Sequence, residues 1–212
     1  MNYLADVGTL ARKDLRLELR SRDTILSMTL FVVATLVVFS FSLPASTEPE
    51  ASYGLLWVAL LFTGILGLTR AFAAEREQRM LDGLILAPCD RSAIWLGKAV
   101  AVMVFLALAE VVALPAFALF FEPVTWEVLA AVVLADLGLA AVGTLLAAMA
   151  AASRARELLL PLLLLPLAIP IVVGGVGASI SDDPGQFLGF LVLYDLIFAI
   201  LCWASFEYVV TE

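Results

Sequence analysis

Every lysine and arginine of this chain falls into one of three short stretches, with long apolar runs between them. The stretches are Arg12 to Arg22, Arg70 to Lys98, and the pair Arg154 and Arg156. The other junctions between apolar runs carry only acids: Glu48 and Glu50, Glu122 and Glu127, Asp182 and Asp183. Basic and acidic junctions in alternation are the positive-inside pattern of a polypeptide that crosses a bilayer several times. A mean hydropathy of +1.06 over 212 residues agrees, being too apolar for a single soluble core. The net charge of −8 and pI near 4.5 would describe an acidic soluble protein only if the charges were evenly spread. They are not, and the stretches expected on the cytoplasmic side are locally basic. No basic face exists beyond what topology needs, so no nucleic-acid partner is expected.

Six apolar runs reach the roughly 17 to 25 residues that span a hydrocarbon core. They lie near 24–43, 53–71, 99–121, 128–152, 158–180 and 187–209. The expected fold is therefore all-α and multi-pass, one transmembrane domain over 1–212 with both termini cytoplasmic and short outer loops. Trp57 and Trp126 fall near outer boundaries, and Trp95 and Trp203 near inner ones, as interfacial aromatics do. The mixed-charge stretch before the first run is too long for a signal-peptide n-region, and the run itself is long enough to span.

Residues 1–23 read as an amphipathic interfacial helix. At 100° per residue, Arg12, Lys13, Arg16 and Arg20 gather on one arc, with Leu4, Val7, Leu10, Ala11, Leu15, Leu17 and Leu19 on the other side. Such a helix is expected to lie on membrane lipid, leucines down and basic groups toward headgroups. Asp14 and Glu18 interrupt the apolar side. Glu18 is placed to pair with Arg22 at i,i+4, and Asp14 calls for a partner elsewhere, expected at Arg76 or Arg79.

The one long cytoplasmic connection is the segment from Ala71 to Lys98. The second span can continue through Glu75 to Arg79. Met80, Leu81, Leu84 and Ile85 then make a short apolar helical patch, Pro88 ends it, and Asp90 is a candidate N-cap for the next helix. An amphipathic helix held between two spans suits docking in a groove of a cytoplasmic partner; the bland alternative is an idle interfacial loop.

Glu110, Asp136 and Asp195 fall inside spans, where an ionised side chain costs several kcal/mol unless protonated, hydrated or paired. No basic residue shares their depth. They read either as a proton pathway through a wet cleft or as hydrogen-bonded packing. Pro115 should kink the third span. Pro161, Pro166 and Pro170 should break the fifth, whose Gly174, Gly175 and Gly177 suggest a re-entrant outer end. Ala59, Thr63 and Gly67 put small residues on one face at spacing four, which favours close helix packing.

Histidine is absent, and Cys89 and Cys202 are isolated, so no metal site and no disulfide are expected. There is no phosphate-binding Gly-x-x-x-x-Gly-Lys-Ser/Thr run, no Gly-x-Ser-x-Gly elbow and no His-Glu-x-x-His. No catalytic residues are assigned, and an energy source, if used, must come from another chain.

Several of these residues carry a resemblance. Phe72-Ala-Ala-Glu75, then Leu81-Asp82, Leu84 to Pro88 and Gly97-Lys98, are similar to the haem exporter protein B (CcmB) family. That family has Phe-x-x-Asp/Glu, then Leu-Glu, an apolar triplet, Pro, and a Lys opening the third span. Leu17 to Arg20 and the run from Leu160-Pro161 through Leu165-Pro166 to Pro170 are also similar, so the likeness covers nearly the whole chain. Many relatives have Asp-Gly-Ser where this chain has Gln78-Arg79-Met80, which implies a straighter helix here.

The resemblance implies an ABC-2-like (type V exporter) permease subunit of the bacterial cytoplasmic (inner) membrane, serving cytochrome c maturation. Residues 72–98 would be the coupling loop, with Phe72, Glu75, Met80, Leu81, Asp82, Leu84, Ile85, Pro88 and Arg91 meeting an ATP-hydrolysing subunit. Two ATPase subunits and a second copy of this chain are implied. So are a haem-handling membrane subunit, a small single-span subunit and a periplasmic haem chaperone. ATP and magnesium would sit on the ATPase; haem would be handled by the complex, with no cofactor bound to this chain directly. Two other readings stand beside it. One is an ABC-2-type permease exporting a lipid, drug or polysaccharide. The other is a non-transporting scaffold or an intramembrane enzyme built on Glu110, Asp136 or Asp195.

Overall fold

The computed structural model describes residues 3–44, 47–70, 90–152 and 156–211. Seven helices run through them: α1 (Tyr3–Ser21), α2 (Asp23–Ser42), α3 (Pro49–Arg70), α4 (Arg91–Phe120), α5 (Trp126–Ala152), α6 (Arg156–Ile180) and α7 (Pro184–Thr211). The last six are long and apolar enough to cross a membrane, and they coincide with the six expected runs. Their ends extend a few residues beyond the apolar runs because capping, not hydropathy, decides where a helix stops. Pro49 and Pro184 open α3 and α7, where a missing backbone N–H costs nothing. Asp90 is the N-cap of α4, its carboxylate accepting from the Ser92 backbone N–H at 3.0 Å and the Ser92 hydroxyl at 2.8 Å.

The core is a column around α5, the most buried span, which packs against α4, α6 and α7 and touches α3. Helix α2 sits on the other side, against α3 and α4. The small-residue face of α3 does what its spacing predicts: Ala59, Thr63 and Gly67 are buried, and Gly67 lies directly over Met28 of α2. Two tryptophans correct the interfacial expectation. Trp57 and Trp95 are packed inside, donating to the Ser179 hydroxyl at 2.9 Å and the Ala141 carbonyl at 3.1 Å. Trp126 and Trp203 are exposed, as interface anchors would be.

Pro115 lies inside α4, and Pro161, Pro166 and Pro170 inside α6, and both helices are continuous through them, so α6 is not broken as its prolines suggested. Helix α6 continues through Gly174, Gly175 and Gly177 to Ile180, so its outer end is helical and not re-entrant. Each proline removes one backbone hydrogen bond without ending its helix. The Tyr194 hydroxyl of α7 donates to the Leu167 carbonyl of α6 at 2.7 Å. The glycines then let α7 and α3 approach: Leu191 and Phe187 pack over Gly174 and Gly177, and the Trp57 ring lies on Gly175.

Candidate functional site

Helix α1 turns a different face to the protein than amphipathicity alone suggests. Its buried side chains are Val7, Ala11 and Asp14, with Leu10, Leu15 and Glu18 partly buried beside them. They face the first two turns of α4. The Ser92 and Tyr3 hydroxyls lie 3.2 Å apart, and the backbones close in at Gly97, where a Cβ would lie 2.8 Å from that of Leu10. Arg12 and Arg16 are exposed on the opposite arc and Lys13 is half-buried.

The two acids that spoiled the apolar side of α1 are its points of attachment. Asp14 is 9% exposed and Lys98 4% exposed, and their Oδ2 and Nζ atoms are 3.0 Å apart. The other oxygen of Asp14 meets Lys13 Nζ at 3.1 Å. The expected partners Arg76 and Arg79 lie outside the described residues. Glu18 does not serve mainly as a mate for Arg22; its Oε1 accepts from the backbone N–H groups of Thr24 at 2.6 Å and Ile25 at 3.1 Å. It thereby caps the exposed donors at the start of α2, where a negative charge also suits the helix dipole. Arg22 is the hinge between the two helices, in the left-handed region at φ 60°.

Of the residues expected to couple to a partner, Phe72, Glu75, Met80, Leu81, Asp82, Leu84, Ile85 and Pro88 lie outside the described residues. Arg91 is described, opening α4, and sits 3.8 Å from Glu207 of α7. Arg91 is half-buried and Glu207 well exposed, and such surface pairs contribute little, about 0–1 kcal/mol.

The intramembrane acids divide into two sets. Glu110 of α4 and Asp136 of α5 are both buried and adjoin each other. They line a cavity of ≈ 10 Å³ with Trp57, Leu60, Val132 and Ile171. That is room for at most about one water molecule. Asp195 stands apart on α7, packed over Gly138, and neither carboxylate oxygen has a hydrogen-bond partner among the described residues. Ile171 touches both sets, lining the cavity and lying beside Gly138.

The packing role of the Glu110–Asp136 pair makes a measurable distinction. Glu110→Leu strands the Asp136 carboxyl and is expected to cost about 1–3 kcal/mol. That corresponds to a fall of about 2–12 °C in the thermal midpoint of the detergent-solubilised protein, at roughly 2–4 °C per kcal/mol. Glu110→Gln keeps a hydrogen-bonding side chain and should leave the midpoint nearly unchanged. A Gln variant of normal midpoint that has lost transport would instead assign the pair a role in moving protons.

No three His, Cys, Asp or Glu side chains gather within metal-binding reach among the described residues.

Residues 6–206 match the family model described as CcmB protein. The chain belongs to the CcmB family. It is 33% identical over 171 residues to "Heme exporter protein B" of Rhodobacter capsulatus, an alignment covering 78% of each chain. The protein of the same name from Paracoccus denitrificans is 32% identical over 193 residues, covering 87% of this chain and 88% of that one. That of Bradyrhizobium diazoefficiens is 28% identical over 204 residues, covering 94% and 90%. This CcmB-family chain is thus a multi-pass membrane protein and a transport component.

The sequence places Lys98 at the end of the long connection, where its resemblance to the family's span-opening Lys assigns it no partner. A signal for its pairing was present. Lys98 is followed by the uninterrupted apolar run Ala99 to Ala109, and Asp14 lies on the apolar side of α1. Two misplaced charges of opposite sign, each at the mouth of an apolar surface, are candidates for each other.

Proposed function

We propose that this chain is the membrane permease subunit of an ABC-type haem exporter complex for cytochrome c biogenesis. It would couple ATP hydrolysis in a partner subunit to haem export, or to release of a haem-loaded periplasmic chaperone. The observation that carries this reading is the CcmB family match over residues 6–206, nearly the whole chain. The helical architecture supports it: six candidate spans with a polar-anchored helix α1 at the basic end suit a subunit that transmits motion.

In this reading residues 72–98 receive the ATPase, which supplies the energy this chain has no motif to bind. Two ATPase subunits and two copies of this chain form the working unit. A haem-handling membrane subunit, a small single-span subunit and a periplasmic haem chaperone complete it. The basic stretches face the cytoplasm and both termini lie there, in the bacterial inner membrane. Haem is the cargo of the complex, and the Glu110–Asp136 pair and Asp195 belong to packing within the bundle.

The test is complementation with co-purification. Expressed in a bacterium lacking its own haem exporter protein B, the tagged chain should restore covalent haem attachment to c-type cytochromes and bring down an ABC ATPase. Export of a lipid, drug or polysaccharide with no effect on cytochrome c would reject the haem assignment. Absence of any ATPase would reject the transporter class altogether.

A further inference from the structure

We infer that the buried Asp14–Lys98 pair is a positioning joint that makes α1 and α4 move as one body, so that displacement at the start of α4 is carried through α1 into α2. The inference rests on the proposed function, since it concerns how work arriving at residues 72–98 leaves them.

Helix α4 begins within that segment, at Arg91, and its opening turns touch α1 at three successive levels. These are Ser92 with Tyr3, Gly97 with Leu10, and Lys98 with Asp14. At the middle level there is no slack. A Cβ on Gly97 would lie 2.8 Å from the Leu10 Cβ and 3.3 Å from the Val7 carbonyl oxygen, so backbone rests on backbone. One turn past Asp14, Glu18 accepts from the first backbone donors of α2. Helix α1 is therefore bolted by two carboxylates to the basic ends of two different spans.

The ion pair is not there chiefly for stability. Removing two charges from water costs several kcal/mol per ion, and well-packed apolar replacements of buried pairs are often neutral or stabilising. An apolar contact would hold α1 against α4 equally well, but such contacts slide. A carboxylate that meets the Lys98 Nζ at 3.0 Å on one side and the Lys13 ammonium at 3.1 Å on the other has one register, and sliding out of it breaks both contacts of the buried Asp14. That penalty makes the contact two-state, which transmission between rigid elements requires.

The experiment uses the full complex with its ATPase, in cells lacking the resident permease. Asp14→Leu with Lys98→Met replaces the pair by apolar side chains. The double variant is expected to accumulate in membranes, retain the ATPase and hydrolyse ATP within about two-fold of wild type. Holocytochrome c formed per ATP hydrolysed should fall by about ten-fold, within the range that mutations along a coupling route produce. Lys98→Arg, which keeps charge and reach, should restore most of that yield; a merely structural role would not split yield from hydrolysis in this way. Undiminished yield per ATP in the double variant overturns the inference. So does loss of the protein from membranes in both the double variant and Lys98→Arg, which would make the pair purely structural. Failure of the wild-type chain to bind an ATPase or to support cytochrome c maturation refutes the proposed function instead, and is read before any variant is made.

Discussion

Gly175→Val is expected to be the most damaging single substitution in the membrane core. A Cβ at Gly175 would lie 2.4 Å from two atoms of the Trp57 ring and 2.5 Å from a third. The ring has nowhere to go. Trp57 is 2% exposed, and its indole N–H is tied to the Ser179 hydroxyl at 2.9 Å. That hydroxyl in turn donates to the Gly175 carbonyl at 2.8 Å, so the obstacle and the hydrogen bond share one turn of α6. Overpacking a close-fitted core costs about 1–3 kcal/mol and sometimes more. With a rigid indole in place of a flexible side chain, the upper end applies, and the lost hydrogen bond adds about 1 kcal/mol. The expected result is a thermal midpoint lower by roughly 8–16 °C in detergent, measured by the loss of the monodisperse peak on heating. Trp57→Leu in the same chain makes room and should recover part of the loss, giving a non-zero coupling in a double-mutant cycle. A midpoint unchanged by Gly175→Val would mean that α3 and α6 do not meet as described.

Leu81→Asp with Leu84→Asp should abolish association with the ATPase while leaving the protein in the membrane. Both leucines lie outside the described residues, and the expectation comes from the apolar patch they form with Met80 and Ile85. Burying a leucine side chain contributes about 1.5–3 kcal/mol. The aspartates lose that contribution twice and put two charges into an apolar groove, which costs more again. A total above about 4 kcal/mol is a factor of a thousand in affinity, enough to empty the complex during purification. Insertion is spared because Leu81 and Leu84 fall between α3 and α4 in the chain. Normal recovery of ATPase with the double variant would remove residues 72–98 from the coupling role.

Much of the architecture was legible because partition between water and lipid is a local property of the chain. The six apolar runs became six helices, the Asp90 cap was recognisable from its type and place, and the small-residue face of α3 was buried as its spacing required. The prolines of α6 were misleading for a definable reason. A proline removes a hydrogen bond wherever it sits, but whether the helix survives depends on packing against neighbouring helices that the local sequence does not reveal. Trp57 and Trp95 misled similarly, since an aromatic near a span boundary serves an interface or a core equally well.

The sequence by itself determined how many times this chain crosses the membrane, which ends are basic, and which family it resembles. Those follow from hydropathy, charge order and local motifs, all readable one segment at a time. Only the tertiary structure decided which polar groups meet: Asp14 with Lys98, Glu18 with the start of α2, and Glu110 with Asp136. The spans are apolar nearly all round, so no amphipathic stripe announces which face turns inward. In such a bundle the few charges must find one another at long range, and their choice of partner is made by how the helices pack.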